Sequence, residues 1–438
     1  MKNQVQNNVL ERKDAFTWDE IIDKSNNLQN STVFQLSTST PSYAALKNNS
    51  LSAIEEFVNK PNNTVEVKIY IDGEIISDAL RYLTDHPKDI SETLKTWKNR
   101  ILPNRSLVIR LGASTIPTNE LHSSLHNFLL PLLESSGIPL GGIAVSFEFG
   151  DHEWSPYGLE EDVTPKNKLM INIGETKQVV YEWTPKKKEE LGGLIMKKGK
   201  MQNFMDYLDN YSEKNEIAED EMAVISNQGM YIAKYEGFYH RIQIRLGDMT
   251  KEELLHEMLL GLASATMSVE VHGKEANILP VYDTNKHDEF TQEMLKNLKY
   301  TGNDLSLSMR DLLKKSFKDI SYVRRSNGGF VGSVKYIEDK AVDTAFRTIS
   351  DNAKIKLKKS ELKIEYYSLD DKTYLFMRGQ KTVVKQSNFI NEMIDKLNQG
   401  NSIAWKTLTE SDNWQLSGIQ KLIKLAYKFR AVEITNLQ

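Results

Sequence analysis

The sequence predicts an α+β protein in which a β-rich unit near the middle of the chain is flanked by helical segments. Apolar residues alternate with small or polar ones at 143–147 and again at 169–173, the period of two that is expected of half-buried strands. Between them, residues 155–162 combine Ser, Pro and Gly with three carboxylates, which is typical of a turn. We therefore expect a group of carboxylates at the mouth of a β-rich unit.

The segments around this unit carry further patterns. Residues 65–71 alternate as a strand, and residues 119–134 have the apolar spacing of an amphipathic helix. The segment KEELLHEMLLGLAS at 251–264 follows Thr250, and Glu253 lies three residues on, so that a capped helix is predicted. Helices and strands thus occur on both sides of the central unit.

Composition limits the class of protein. The chain has 438 residues, of which 39% are hydrophobic and 26% charged, enough for two or three globular domains. A net charge of −4 gives no overall signature of nucleic-acid binding. Cysteine is absent, which excludes disulfides and thiolate chemistry and fits a cytoplasmic location. No apolar run approaches the 18 or so residues of a membrane span, so no membrane partner is expected.

The carboxylate-rich turn carries a family resemblance. The segment SPYGLEED at 155–162, followed by GETK at 174–177, resembles the metal-binding segment of the cupin-like JmjC oxygenases, which use Fe(II) and 2-oxoglutarate. The resemblance implies a double-stranded β-helix (cupin or jelly-roll) barrel. It also implies that Asp162 is the carboxylate metal ligand and that Lys177 pairs with 2-oxoglutarate. Glu160 stands where the family has its first histidine.

The position of the family's second histidine is also changed, since Ile232 occupies it. A replacement is available on the strand at 238–246. His240 shares its parity with Ile242 and Ile244, so we expect it to point into the barrel and the arginines of this strand to point outward. A metal site of Glu160, Asp162 and His240 is then one interpretation. The other is that His240 is a hydrogen-bonded histidine of the core.

Two other sets of residues are candidates for binding an anion or a metal ion. If the barrel is still occupied, Lys177, Asn172 and Tyr181 are the residues expected to bind an anionic group. His122 and His126 are spaced by four residues on a predicted helix and so share one face. No carboxylate completes an HExxH pattern there, so a surface or packing role is favoured over metal binding.

The resemblance also divides the chain. It implies an N-terminal α/β flank (1–100), a cupin or JmjC-like barrel (101–265), a helical linker or dimerisation region (266–355) and a winged-helix-like domain (356–438). The post-barrel helices imply a homodimer. A winged helix would present Lys421, Lys424 and Lys428 on its recognition helix. Lysines at this spacing are more typical of a solvated surface, so nucleic acid is not the favoured partner.

Two classes of function follow, and the sequence leaves both open. The first is a divergent 2-oxoglutarate-dependent oxygenase that acts on a peptide or protein, with Fe(II) and 2-oxoglutarate as cofactors. The second is a pseudo-oxygenase that binds a peptide or protein partner and has no cofactor. A DNA-binding regulator is a further alternative. Two altered ligand positions make standard Fe(II)-dependent hydroxylation doubtful.

Overall fold

The computed structural model describes residues 17–61, 65–112, 115–116, 118–161, 166–183, 208, 212–225, 230–247, 249–266, 309–334, 336–359, 362–410 and 413–437. They form a mixture of helices and antiparallel sheets, which confirms the predicted α+β class. Among the described helices, none is long and apolar enough to cross a bilayer.

The N-terminal part contains five helices and five strands. In chain order these are α1 (Trp18–Lys24), β1 (Thr32–Gln35), α2 (Pro41–Asn59), β2 (Val67–Ile71), β3 (Glu74–Ile75), α3 (Ala79–Asp85), α4 (Leu94–Ile101), β4 (Leu107–Leu111), β5 (Thr115–Ile116) and α5 (Asn119–Ser136). Side-chain caps fix where four of these helices begin, namely α1, α3, α4 and α5. The hydroxyl of Thr17 accepts from the backbone amide of Glu20, and that of Thr118 accepts from Leu121.

Eight strands follow: β6 (Ile143–Gly150), β7 (Glu160–Glu161), β8 (Lys166–Asn172), β9 (Gln178–Trp183), β10 (Glu213–Ile217), β11 (Glu221–Ile225), β12 (Met230–Tyr235) and β13 (Tyr239–Gly247). They are divided between two antiparallel sheets. The larger has the order β1-β11-β8-β13-β6-β4-β2-β3, and the smaller has the order β10-β9-β12-β7. Strands from the first hundred residues therefore extend the same sheet as the central strands.

Helices and two three-stranded sheets complete the chain. The elements are α6 (Lys251–Thr266), α7 (Met309–Ser326), β14 (Ser333–Val334), α8 (Asp339–Arg347), β15 (Ile349–Leu357), β16 (Glu365–Leu369), β17 (Lys372–Met377), β18 (Gln380–Lys385), α9 (Asn388–Asn398), β19 (Ile403–Ala404), α10 (Trp405–Thr409), α11 (Asn413–Lys428) and β20 (Val432–Leu437). The predicted capping box of α6 is confirmed. The Thr250 amide donates to Glu253 at 2.9 Å, and the Glu253 amide donates to the Thr250 hydroxyl at 3.1 Å.

Three apolar clusters fix how the sheets are covered. The largest packs α1, α2 and α5 against one face of the eight-stranded sheet, through residues such as Phe147 and Ile242. A second lies between the two sheets and contains Met170 and Tyr231. A third covers the far face of the four-stranded sheet and contains Ile232. Both faces of each sheet are therefore buried in the central strands.

Candidate functional site

The space between the two sheets is lined by charged and aromatic side chains. Met170 of β8 faces Tyr231 of β12 in this space, and Gln243 of β13 pairs with Met170 across the ladder. The side-chain amide of Gln243 donates to the Tyr231 hydroxyl at 2.8 Å, which joins the two sheets. Because side chains alternate along a strand, Arg241 and Arg245 share this inner face with Gln243.

The orientation predicted for β13 is therefore wrong. Ile242 and Ile244 pack in the large core beneath the N-terminal helices, on the face of the sheet away from the second sheet. His240 shares their side, where its ring lies 6.1 Å from that of Phe149 and 5.3 Å from that of Phe238. The prediction failed because helices bury this face of β13, so its apolar residues do not mark the face that is turned to the second sheet.

Glu160 is the first residue of β7 and lies between the two sheets. It pairs with Tyr231 of β12, and its Oε2 accepts from Nη2 of Arg245 at 2.8 Å. Burial alone would raise the pKa of Glu160, but the guanidinium groups around it, above all that of Arg241, hold the pKa below its ordinary value. The carboxylate is thus ionised and already neutralised by arginine.

A second carboxylate, Glu148 of β6, forms an ion pair with Arg241 in the space between the two sheets. Nη2 of Arg241 lies 3.1 Å from Oε1 of Glu148, and the two side chains are 1% and 3% exposed. The same carboxylate accepts from the hydroxyls of Tyr235 at 3.2 Å and Tyr239 at 2.9 Å, and Tyr157 bonds its other oxygen. Burial would lower the pKa of Arg241, but Glu148 holds it well above its ordinary value.

The described residues do not fit an Fe(II) site. Asp162 lies outside them. Glu160 lies between the two sheets, whereas His240 lies on the opposite face of the larger sheet. Ile232 packs in the apolar cluster on the far face of the four-stranded sheet. Among the described parts of the chain, no three His, Cys, Asp or Glu side chains are grouped so as to hold a metal ion. A divalent cation placed beside Glu160 would also meet the positive charge of Arg245 and Arg241.

The three residues predicted to bind an anionic group are not brought together. Lys177 lies before β9 with its side chain 40% exposed and forms an ion pair with Glu216. Asn172 is fully buried, and its Nδ2 donates to the carbonyls of Thr176 at 2.9 Å and Ile217 at 3.1 Å. Tyr181 packs on the outer side of the four-stranded sheet, 5.9 Å from the ring of Trp154.

A cavity of about 230 Å³ lies against strands β2, β4, β6 and β13 of the larger sheet, and Arg245, the partner of Glu160, forms part of its lining. Small residues form part of its wall, and positively charged side chains exceed negative ones. The lining residues are Glu66, Lys68, Arg110, Gly112, Ala144, Val145, Ser146 and Arg245. Lys68 is 3.5 Å from Glu66, whereas Nε of Arg245 is buried without a hydrogen-bond partner. The cavity can therefore donate hydrogen bonds to a negatively charged group.

Sequence reasoning missed the residues that form this site. Glu148, Arg110 and Arg241 each lie within a strand, at positions that alternate with buried apolar residues. In β13 alone, polar residues stand at every second position of an otherwise apolar strand, namely Arg241, Gln243 and Arg245, and this was the available signal. The pattern predicted a solvent-facing side instead.

No family model matches the chain, and no curated protein matches it. Among solved structures, the ribosomal oxygenase YcfD of Escherichia coli is similar at 10% identity and a TM-score of 0.44, over 96% of this chain and 98% of that one. YcfD in complex with cobalt and 2-oxoglutarate gives 9% identity and a TM-score of 0.44, over 96% and 99%. Scores this low carry no conclusion about the fold or activity of this chain.

Proposed function

We propose that the chain is a non-catalytic relative of the JmjC-type oxygenases, a double-stranded β-helix protein that binds a peptide or protein partner without a metal. The strand order supports this proposal. Of the eight successive strands β6 to β13, four lie in the larger sheet (β6, β8, β11, β13) and four in the smaller (β7, β9, β10, β12), and the chain changes sheet at every step except from β9 to β10. Such crossing between two sheets is the arrangement of a jelly roll.

The proposal that no metal is bound rests on one observation, the ion pair of Arg245 with Glu160. Glu160 stands at the position that the resemblance assigns to a metal-binding histidine, and its carboxylate accepts from a guanidinium at 2.8 Å. A metal would have to displace that guanidinium within a buried site that also contains Arg241. The electrostatic cost of placing a divalent cation there is high because the interior screens charge poorly.

The cavity beside this ion pair favours an acidic ligand. Arg110 and Arg245 present guanidinium groups to it, and these bind carboxylates with charge-assisted hydrogen bonds. A volume of about 230 Å³ accommodates a side chain rather than a whole peptide. We therefore infer that an acidic side chain of a peptide or protein partner enters the cavity.

Titration of the purified protein tests this function. We expect no saturable binding of Fe(II) or 2-oxoglutarate to protein prepared without chelator, and no change in metal content in Asp162→Ala. An oligoglutamate peptide should bind and an oligolysine peptide of equal length should not. Arg110→Gln should weaken oligoglutamate binding by about tenfold, the loss of one charge-assisted contact. Near-stoichiometric iron that is lost in Asp162→Ala would overturn the proposal in favour of an oxygenase.

The alternatives have less support. An oxygenase with Glu160, Asp162 and His240 as ligands requires His240 inside the barrel, and its ring lies among Phe149 and Phe238 instead. For a DNA-binding regulator, α11 would offer its lysines to phosphates. Lys424 and Lys428 already form ion pairs with Asp343 and Asp339 of α8, at 3.0 and 2.8 Å.

We also propose that the chain forms a homodimer through α6. Three leucines of this helix are 45–53% exposed, namely Leu255, Leu259 and Leu260. Apolar side chains exposed together on one helix are typical of an interaction surface. The helix α6 also contacts α7, where the Ser316 hydroxyl donates a hydrogen bond to the carbonyl of Met258 at 2.7 Å.

A further inference from the structure

A buried arginine joins the C-terminal sheet to the first turn of α5. The turn between β17 and β18 places Arg378 and Gly379 in the left-handed region, at φ 52° and 79°. Arg378 is 2% exposed, and its Nη2 donates to the side-chain oxygen of Asn119 at 3.1 Å. Its Nε and Nη1 are buried without a hydrogen-bond partner.

Other polar atoms around this arginine lack an aligned hydrogen bond. They include the side-chain nitrogen of Asn119 and the side-chain oxygen of Asn327, whose side chain lies beside the ring of His122. Both ring nitrogens of His122 are buried beside Asn327 without an aligned hydrogen bond, while the ring packs on Phe330 at 4.8 Å. Buried polar groups are nearly always hydrogen-bonded in native proteins, so such a concentration at one junction indicates a missing partner.

The charge of the junction indicates the sign of that partner. No described carboxylate forms an ion pair with Arg378. Burial, with Arg430 nearby, lowers the pKa of Arg378 to about 10, which leaves the guanidinium protonated at neutral pH. The N-terminus of α5, an 18-residue helix that begins at Asn119, adds partial positive charge. A buried cation beside a helix N-terminus is unfavourable unless an anion neutralises it.

We propose that this junction is a binding site for a small anion, held by the guanidinium of Arg378 and the side-chain amide of Asn119. Phosphate and carboxylate ions have the acceptor oxygens that such donors require. The anion would connect α5 of the N-terminal part to the β17–β18 turn of the C-terminal part. The site is separate from the barrel cavity, and the proposal does not depend on the function proposed for the barrel.

Thermal unfolding in different anions tests the site. The wild-type protein, Arg378→Met and the control Arg347→Met, which removes an exposed arginine of α8, are compared in phosphate, acetate and chloride at equal ionic strength. In the wild type and the control, a saturating concentration of the bound anion should raise the Tm by about 2–4 °C. Arg378→Met should lose that rise. Because all three proteins share any general salt effect, the difference between variants reports the site alone.

The outcomes distinguish an inorganic oxyanion, a carboxylate and the absence of a bound anion. A rise in phosphate alone identifies an inorganic oxyanion, and a rise in acetate identifies a carboxylate. If Arg378→Met is at least as stable as the wild type in every salt, the arginine is an uncompensated buried charge and the proposal is wrong. If Arg378→Met does not fold, equilibrium dialysis of the wild type with phosphate and with acetate decides: one saturable site for either supports the proposal, and its absence for both overturns it.

Discussion

At the scale of single residues, the decisive feature is that ion pairs fill the space between the two central sheets. Arg241 and Glu148 are both almost completely buried, and three tyrosine hydroxyls converge on the same carboxylate. Such a network is favourable only while all of its members remain, because a buried charge without its partner has lost its hydration. It therefore fixes the position of the side chains around the cavity.

We expect Arg241→Met to lower the free energy of unfolding by about 3–5 kcal/mol, because Glu148 is left as a buried and uncompensated charge. The double variant Arg241→Met with Glu148→Gln should be less destabilised than the sum of the two single variants. Urea denaturation measures each value. Arg347→Met, the same change at the surface, should alter stability by no more than about 0.5 kcal/mol. A value for Arg241→Met within that range would show that the ion pair is not important.

The sequence identified these strands but not the directions of their side chains. Alternation in the segment at 238–246 predicted a strand, and β13 (Tyr239–Gly247) is there. Which set of alternate side chains faces the second sheet depends on what covers the other face, and α1, α2 and α5 cover it with apolar side chains. That information is not local to the strand. The site residues Arg241 and Arg245 were consequently predicted to face solvent.

At the scale of secondary-structure elements, α6 leaves part of its apolar surface exposed. Leu255 and Leu259 are four residues apart and so lie on one face, and they are 46% and 45% exposed. The sequence predicts this helix and its cap, and both are confirmed. Within the described part of the chain its leucines are open, which leaves a surface for the homodimer that the resemblance implies.

We expect the wild-type protein to elute as a dimer of the 50.2 kDa chain in size-exclusion chromatography with light scattering. The double variant Leu255→Glu/Leu259→Glu should be a monomer, because two carboxylates would be buried without partners at the interface. Val383→Glu changes a similarly exposed residue, 47% accessible, on β18 and should remain dimeric. A monomeric wild-type protein would refute the dimer.

Elements of the C-terminal part were predicted unevenly. The sequence predicts a hairpin of strands at 362–367 and 372–377, helices at 388–398 and 416–429, and a final strand at 431–434. The elements β16, β17, α9, α11 and β20 lie there. Two strands were missed. β18 has the charged and polar sequence QKTVVK, and β15 lies where a helical region was expected. Both have one exposed face, so their alternation is carried by few apolar residues. The winged-helix assignment of this part stays a prediction.

At the scale of the whole molecule, two histidines with lowered pKa values contribute to the response to acid. Burial lowers the pKa of His240 from 6.5 to about 4, and burial together with Arg378 lowers the pKa of His122. A histidine with a depressed pKa stabilises the fold fully above pH 6.5. The contribution is lost as the pH falls from 6.5 towards 4, because the unfolded chain binds the proton more readily.

The free energy of unfolding of the wild type should therefore fall between pH 7.5 and pH 5. His240 contributes about 2 kcal/mol to that fall by linkage. In His240→Leu this part should disappear, while the contribution of His122 remains. Urea denaturation at the two pH values, together with NMR titration of the imidazole resonances, checks both statements. An equal loss of stability in the variant and the wild type would contradict the role of His240.

The pairing of β1 with β11 has a consequence for the order of folding. Thr32 lies beside Val224 in the finished sheet, so β1 leaves the ribosome long before its neighbour is made. At translation rates of about 5–20 residues per second, that interval is roughly 10–40 s. During it, the first strand has neither its hydrogen-bonding partner nor the core that it will cover. The sheet can be completed only late in synthesis, after β11 has been made.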